Sequence, residues 1–168
     1  MITACLITWK RQYNIGKIVE NLLRYEFIDE IIIRDNSHCK NIINYGRYTP
    51  KTKHNIIYTQ DDDCIVHNVR GIYESFLKHP DAISYSGIDG YRDKIPENIY
   101  GDCQMAMAGW GMIFDKRWVD KLSMYTNKFG KDACFYRETD RIFSILLGKY
   151  HHFVDGGITQ LDGSDNKD

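Results

Sequence analysis

Short apolar runs alternating with helical stripes constrain the fold of this chain more than any other feature. Ile2, Ala4, Cys5, Leu6 and Ile7 form a near-continuous apolar run, as expected of a strand covered on both faces. After a polar turn, Asn14 is placed to cap a helix in which Ile15, Ile18, Val19, Leu22 and Leu23 recur at helical spacing. The stretch EIIIRDNS then supplies a β-branched run over residues 31–33, stopped by Asp35, Asn36 and Ser37. Strand, helix and strand joined this compactly read as a right-handed βαβ unit.

The alternation continues along the chain. Residues 38–55 carry no period and read as a loop, after which Ile56, Ile57 and Tyr58 make a third strand. Val69, Ile72, Tyr73, Phe76 and Leu77 restore helical spacing until His79-Pro80 stops it. Residues 83–86 are a fourth strand, and the Gly- and Asp-rich stretch GIDGYRDKIPENIYGD is a long loop. MAMAGWGMIF suggests two short strand pieces around a glycine turn. Helices are expected from about Lys116 (KRWVDKLSMY) and from Glu138 (ETDRIFSILLG), and a late strand over residues 152–154. This order predicts an α/β fold: one domain with a mostly parallel central sheet flanked by helices.

Bulk properties narrow the function. Apolar residues make up 43% and charged residues 27% of the 168, which argues against disorder. The net charge of -1 gives no basic excess for nucleic acid or an anionic membrane. No apolar run approaches the roughly 20 residues of a membrane span. The opening MITACLITW runs directly into Lys10 and Arg11 and reads as a buried strand rather than a signal peptide. The five cysteines (Cys5, Cys39, Cys64, Cys103, Cys134) are odd in number and form no CxxC pair. They suggest free thiols in a reducing compartment, with the cytoplasm as the expected location.

The chemistry concentrates in YTQDDDCIV, where Asp61, Asp62 and Asp63 follow the third strand. Like charges this close repel, so the run is either a solvated turn or the seat of a cation. In an open parallel sheet the residues just past the carboxyl ends of strands line the ligand crevice, so Asp35 and the triplet are expected in one cleft. Mg²⁺ and Mn²⁺ favour carboxylate oxygens and keep positions open for phosphate. Neither a Walker lysine motif nor a GxGxxG loop is present. Gly109, Trp110 and Gly111 read either as a turn that lets backbone approach a ligand or as a tight turn around a core tryptophan. Glu138 and Asp140 read as acidic residues favoured by a helix N-terminus. His151 and His152, adjacent on a strand, point to opposite sides, so at most one faces the cleft.

Taken in order, ITACLITWKR, EIIIRDNS, IIYTQDDDCIV, GWGMIF and RETDRIF resemble the landmarks of a GT-A fold glycosyltransferase, family 2-like or exostosin-like, with the triplet as its DXD motif. The resemblance covers most of the chain. It implies a nucleotide-binding half over about residues 1–66, an acceptor and catalytic half over about 67–155, and a tail over 156–168. It further implies that Thr8 and Arg11 border the base and ribose, and that Asp35 accepts a hydrogen bond from the base. Asp61 would lie near the ribose or the metal, Asp62 would join the nucleotide-sugar set or face away, and Asp63 would bind Mn²⁺ or Mg²⁺. Gly109, Trp110 and Gly111 would lie near the sugar, and Asp140, with Glu138 as alternate, would serve as the base. The implied donor is a nucleotide-diphosphate sugar, UDP-linked by preference, and the acceptor a glycan or other hydroxyl. Many members use a late histidine as a further metal ligand, where this chain has the tail DGGITQLDGSDNKD. A nucleotidyltransferase and a non-catalytic, metal-dependent glycan-binding domain are the alternatives.

Overall fold

A computed structural model describes residues 1–38, 48, 51–87 and 106–161. Six strands form the central sheet: β1 (Ile2–Thr8), β2 (Ile28–Asp35), β3 (Ile56–Asp61), β5 (Ser84–Gly87), β6 (Met107–Asp115) and β7 (His152–Phe153). Two short strands, β4 (Cys64–Val66) and β8 (Ile158–Gln160), pair separately. Helices α1 (Gln12–Leu22), α2 (Val69–Lys78), α3 (Asp120–Phe129) and α4 (Ala133–Leu147) accompany them, with a 3₁₀ turn at Lys116–Val119 before α3. Among the described residues no helix is long and apolar enough to cross a membrane.

The order across the sheet is β2-β1-β3-β6-β5-β7. β1 runs parallel to both β2 and β3, and β7 parallel to β5, while β6 is antiparallel to β3 and β5. The sheet is therefore mostly parallel, as expected, and made mixed by the one antiparallel strand β6. A continuous apolar run marks burial on both faces but not the direction of the neighbouring strand.

All seven residues of β1 are buried, which explains its unbroken apolar run. Its alternating side chains feed two cores. Ala4 and Leu6 join Ile18 and Leu22 of α1 and Val69, Ile72 and Phe76 of α2. Cys5 joins Phe114 of β6, Leu122 of α3, and Phe135, Phe143 and Leu147 of α4. The result is a sheet between two helical layers.

Several local expectations are corrected. Asn14 lies inside α1, where Arg11 holds the N-cap position without a side-chain bond. Its buried amide instead donates to the Asp62 carbonyl at 2.9 Å. β6 extends through GWG as one strand, with Gly111 at φ +95, and its pairing with β5 shifts register between Met107 and Met112. α4 starts well before Glu138, capped by the Asp132 carboxylate, which accepts from the Phe135 N–H at 2.7 Å. Glu138 departs from helical dihedrals (φ -100, ψ 18), so a second helical segment begins at this kink, with Glu138 and Asp140 at its start as expected. The tail contributes β8, which pairs with β4. Cys5 and Cys64 are buried thiols. Cys39, Cys103, the Cys134 side chain and most of the two long loops lie outside the described residues.

His151 is fully buried and has a structural role. Its Nδ1 accepts from the Ile83 N–H at 3.2 Å and its Nε2 donates to the Ser144 carbonyl at 3.0 Å, which joins α4 to the sheet. His152 instead stacks on His79, ring centroids 3.8 Å apart. Burial pushes the His151 pKa below its usual 6.5. The folded protein thus holds fewer protons here than the unfolded chain, and stability is lost as pH falls through 6.5. The urea midpoint should be lower at pH 5.5 than at 7.5. His151→Gln should weaken that dependence and cost about 1–3 kcal/mol at the higher pH.

Candidate functional site

β1 is flanked by β2 on one side and β3 on the other, so the chain reverses its direction of travel across the sheet at β1. Crevices at the carboxyl ends of strands open at such switch points. The register aligns Thr8 with Asp35 and Ile7 with Asp61. Thr8, Asp35 and the triplet are thus brought to one edge of the sheet, as the sequence leads one to expect.

The three aspartates have separate environments. Asp62 is 2% exposed, and its Oδ2 accepts from both the Thr8 hydroxyl and the Trp9 N–H at 2.8 Å. Its Oδ1 lies 3.0 Å from Arg11 Nε in an ion pair. Asp62 therefore turns inward and ties the end of β1 to the end of β3. Lys10 permits this geometry by adopting φ 65, which turns the chain so that Arg11 comes back over the carboxylates.

Asp63 is partly exposed, 3.7 Å from Arg11 Nη1 through Oδ2. Its Oδ1 is buried and has no hydrogen-bond partner. Burial first, then the neighbouring Asp61 carboxylate, push its pKa up, against the pull of Arg11. The Asp63 carbonyl accepts from the Leu161 N–H at 2.7 Å, directly after β8, so the tail braces the turn. Cys64 is buried, and desolvation raises its thiol pKa far out of the reactive range.

Asp61 leans against β6. A Cβ built on Gly109 would come within 2.6 Å of Asp61 Oδ2. Gly109 is therefore the residue that makes room for this carboxylate. Gly111 is crowded by Ser86, Tyr58 and Val66 within 3.2 Å, so its lack of a side chain serves packing as well as its positive φ. Trp110 is partly buried against the α1/α2 core, and its carbonyl accepts from the Ser86 hydroxyl.

Asp35 is exposed, and its carboxylate accepts from the Ser37 N–H at 2.8 Å and from Gln12 Nε2 at 3.3 Å. These bonds, Ser37 first, hold its pKa below the usual value. Asp140 lies in α4 within the second core, 7% exposed, with Oδ1 accepting from the Tyr48 hydroxyl at 2.8 Å. Glu138 is paired with Arg137 and Arg141, each at 3.1 Å. Those two arginines therefore pair with the acid. Tyr48, Trp9, Asn14 and Leu161 are the participants that sequence reasoning missed. Each acts through a contact distant in sequence, and Trp9 and Leu161 through backbone groups that carry no sequence signal.

Among the described residues no set of three or more His, Cys, Asp or Glu forms a ready-made cation cage. A cation that takes most of its ligands from a diphosphate requires only one or two carboxylates. The unpartnered buried oxygen of Asp63, beside Asp61, fits that need. The chain matches no model of a known protein family and no curated protein.

Two stability effects of opposite sign should separate Asp62 from Asp63. Asp62→Ala leaves Arg11, the Thr8 hydroxyl and the Trp9 N–H without their partner and should cost about 3–5 kcal/mol in urea unfolding. Asp63→Asn should raise the melting temperature at neutral pH, because it removes a charge that burial disfavours. Gly109→Ala meets only the end of a side chain, so it should cost about 1 kcal/mol.

Proposed function

We propose that the chain is a metal-dependent glycosyltransferase with a GT-A type domain, acting on a nucleotide-diphosphate sugar. The observation that carries this reading is the Asp63 carboxylate at the switch-point edge, with one buried oxygen unsatisfied beside Asp61. A buried carboxylate oxygen without a protein donor carries negative charge that a bound cation would offset.

In this reading Asp63 and Asp61 hold Mn²⁺ or Mg²⁺, which when bound stabilises negative charge on a departing nucleoside diphosphate. Thr8 and Arg11 border the nucleotide, and Asp35 offers a carboxylate oxygen to an N–H of the base, UDP being the preferred donor. Gly109 gives the Asp61 carboxylate its room, and the sugar would lie near Gly109, Trp110 and Gly111. Asp140 acts as the base. It takes the proton of an acceptor hydroxyl as that oxygen bonds to the anomeric carbon and the bond to the diphosphate oxygen breaks. The Tyr48 hydroxyl donates to Asp140 Oδ1 and orients the carboxylate. Inversion at the anomeric carbon follows from this single displacement. A cytoplasmic location, suited to free thiols, belongs to the same proposal.

Calorimetry with a panel of nucleoside diphosphates, with and without Mn²⁺, tests the reading. UDP should bind at least about tenfold more tightly with Mn²⁺, or about 1.4 kcal/mol. Asp63→Ala should abolish that gain. Asp140→Ala should bind UDP normally while sugar transfer falls by about 10²–10⁴-fold. Binding that ignores the metal for every nucleotide would refute the assignment.

A further inference from the structure

Arg11 occupies a position that the proposed donor site does not by itself explain. Its guanidinium is 18% exposed and lies against both Asp62 and Asp63, the two carboxylates at the centre of the acidic turn. The contact to Asp62 is short, 3.0 Å, yet the buried Nε lacks hydrogen-bond alignment. The contact to Asp63, at 3.7 Å, is longer than a hydrogen bond. Arg11 is thus held largely by charge, whereas the other oxygen of Asp62 is fixed by two directed bonds of 2.8 Å. A charge contact without directed bonds is the more readily exchanged of the two.

The turn around Lys10 aims Arg11 at this place. The left-handed φ of 65 at a lysine is an unfavoured backbone state, and it is what returns the chain over the carboxylates. A divalent cation at Asp63 would stand within a few ångströms of the guanidinium, and the two would repel strongly in a partly buried setting. Arginine cannot relieve that repulsion by losing its proton.

We infer that Arg11 is a built-in counter-cation of the acidic turn, holding Asp62 and Asp63 in the cation-free protein and giving up Asp63 when a divalent cation enters. The inference rests on the metal-dependent reading above and adds a regulatory consequence. Arg11 makes the turn a poor site for a cation alone. A diphosphate arriving with the cation supplies the negative charge that offsets both positive groups, so metal and nucleotide load together. By linkage, the factor by which nucleotide tightens cation binding equals the factor by which cation tightens nucleotide binding. Removing Arg11 should shrink both.

The test is Mn²⁺ binding followed by the EPR signal of free Mn²⁺, with and without UDP. It uses the wild type, Arg11→Met, Arg11→Lys and a neighbouring-charge control, Lys10→Met. Arg11→Met should bind Mn²⁺ alone about tenfold more tightly than the wild type. The tightening of Mn²⁺ by UDP should be correspondingly smaller. Arg11→Lys should fall between Arg11→Met and the wild type, because a lysine can lose its proton, while Lys10→Met stays near the wild type. Equal or weaker Mn²⁺ binding by Arg11→Met overturns the inference. So does equal tightening in Lys10→Met, which would show a general surface field. Failure of Mn²⁺ to bind any of the four proteins, with or without UDP, removes the metal-dependent reading and this inference together. UDP-linked Mn²⁺ binding that is the same in wild type and Arg11→Met removes the inference alone. Should Arg11→Met fail to fold, Arg11→Gln is read by the Mn²⁺-induced rise in melting temperature. A rise larger than in the wild type supports competition, and an equal or smaller one overturns it.

Discussion

The buried carboxylate of Asp62 is the contact on which the candidate site depends. One side chain at the end of β3 binds the hydroxyl of Thr8, the backbone of Trp9 and the guanidinium of Arg11 at the end of β1. Its own carbonyl receives the Asn14 amide from α1. Two strand ends and the following helix are thereby fixed around one residue. A charge buried to this extent is tolerated because one oxygen accepts two directed hydrogen bonds and the other faces the Arg11 guanidinium.

Its neighbours differ because they are not satisfied in the same way. Asp63 keeps a buried oxygen without a donor, and Asp61 rests where β6 has a glycine. The acidic turn therefore combines one carboxylate that builds the edge with two that leave it negatively charged. The tail contributes to the same arrangement: β8 pairs with β4, and the next N–H bonds the Asp63 carbonyl. Gly156 lies so close to Ser86 that a Cβ would approach its hydroxyl to 2.6 Å, and its carbonyl accepts from both His67 and Asn68. The chain end is thus packed onto the segment that leaves the aspartates.

Elements with a strong internal period were legible in the sequence. β1, α1, β2, β3 and α2 follow from runs and stripes whose burial is dictated by the residues themselves. The meeting of Asp35 with the triplet was also legible, since strand ends on one side of a parallel unit share an edge. The antiparallel direction of β6 was not, because direction is set by pairing with β3 and β5 rather than by the residues of the strand itself. β4 and β8 have three residues each, too few for a period, and each exists through its partner. The helical segment after Glu138 was legible, whereas the preceding turns capped by Asp132, which join it across a kink, were not.

The sequence by itself determined that the chain alternates strands and helices, that β1 is buried on both faces, and that a threefold acidic run ends a strand. These are local facts, written in spacing and residue type. Only the tertiary structure decided which aspartate turns inward, which keeps an open oxygen, and that Arg11 lies between two of them. The reason is physical: three identical side chains differ only through the groups that surround them, and those groups come from β1, β6 and the tail, far away along the chain.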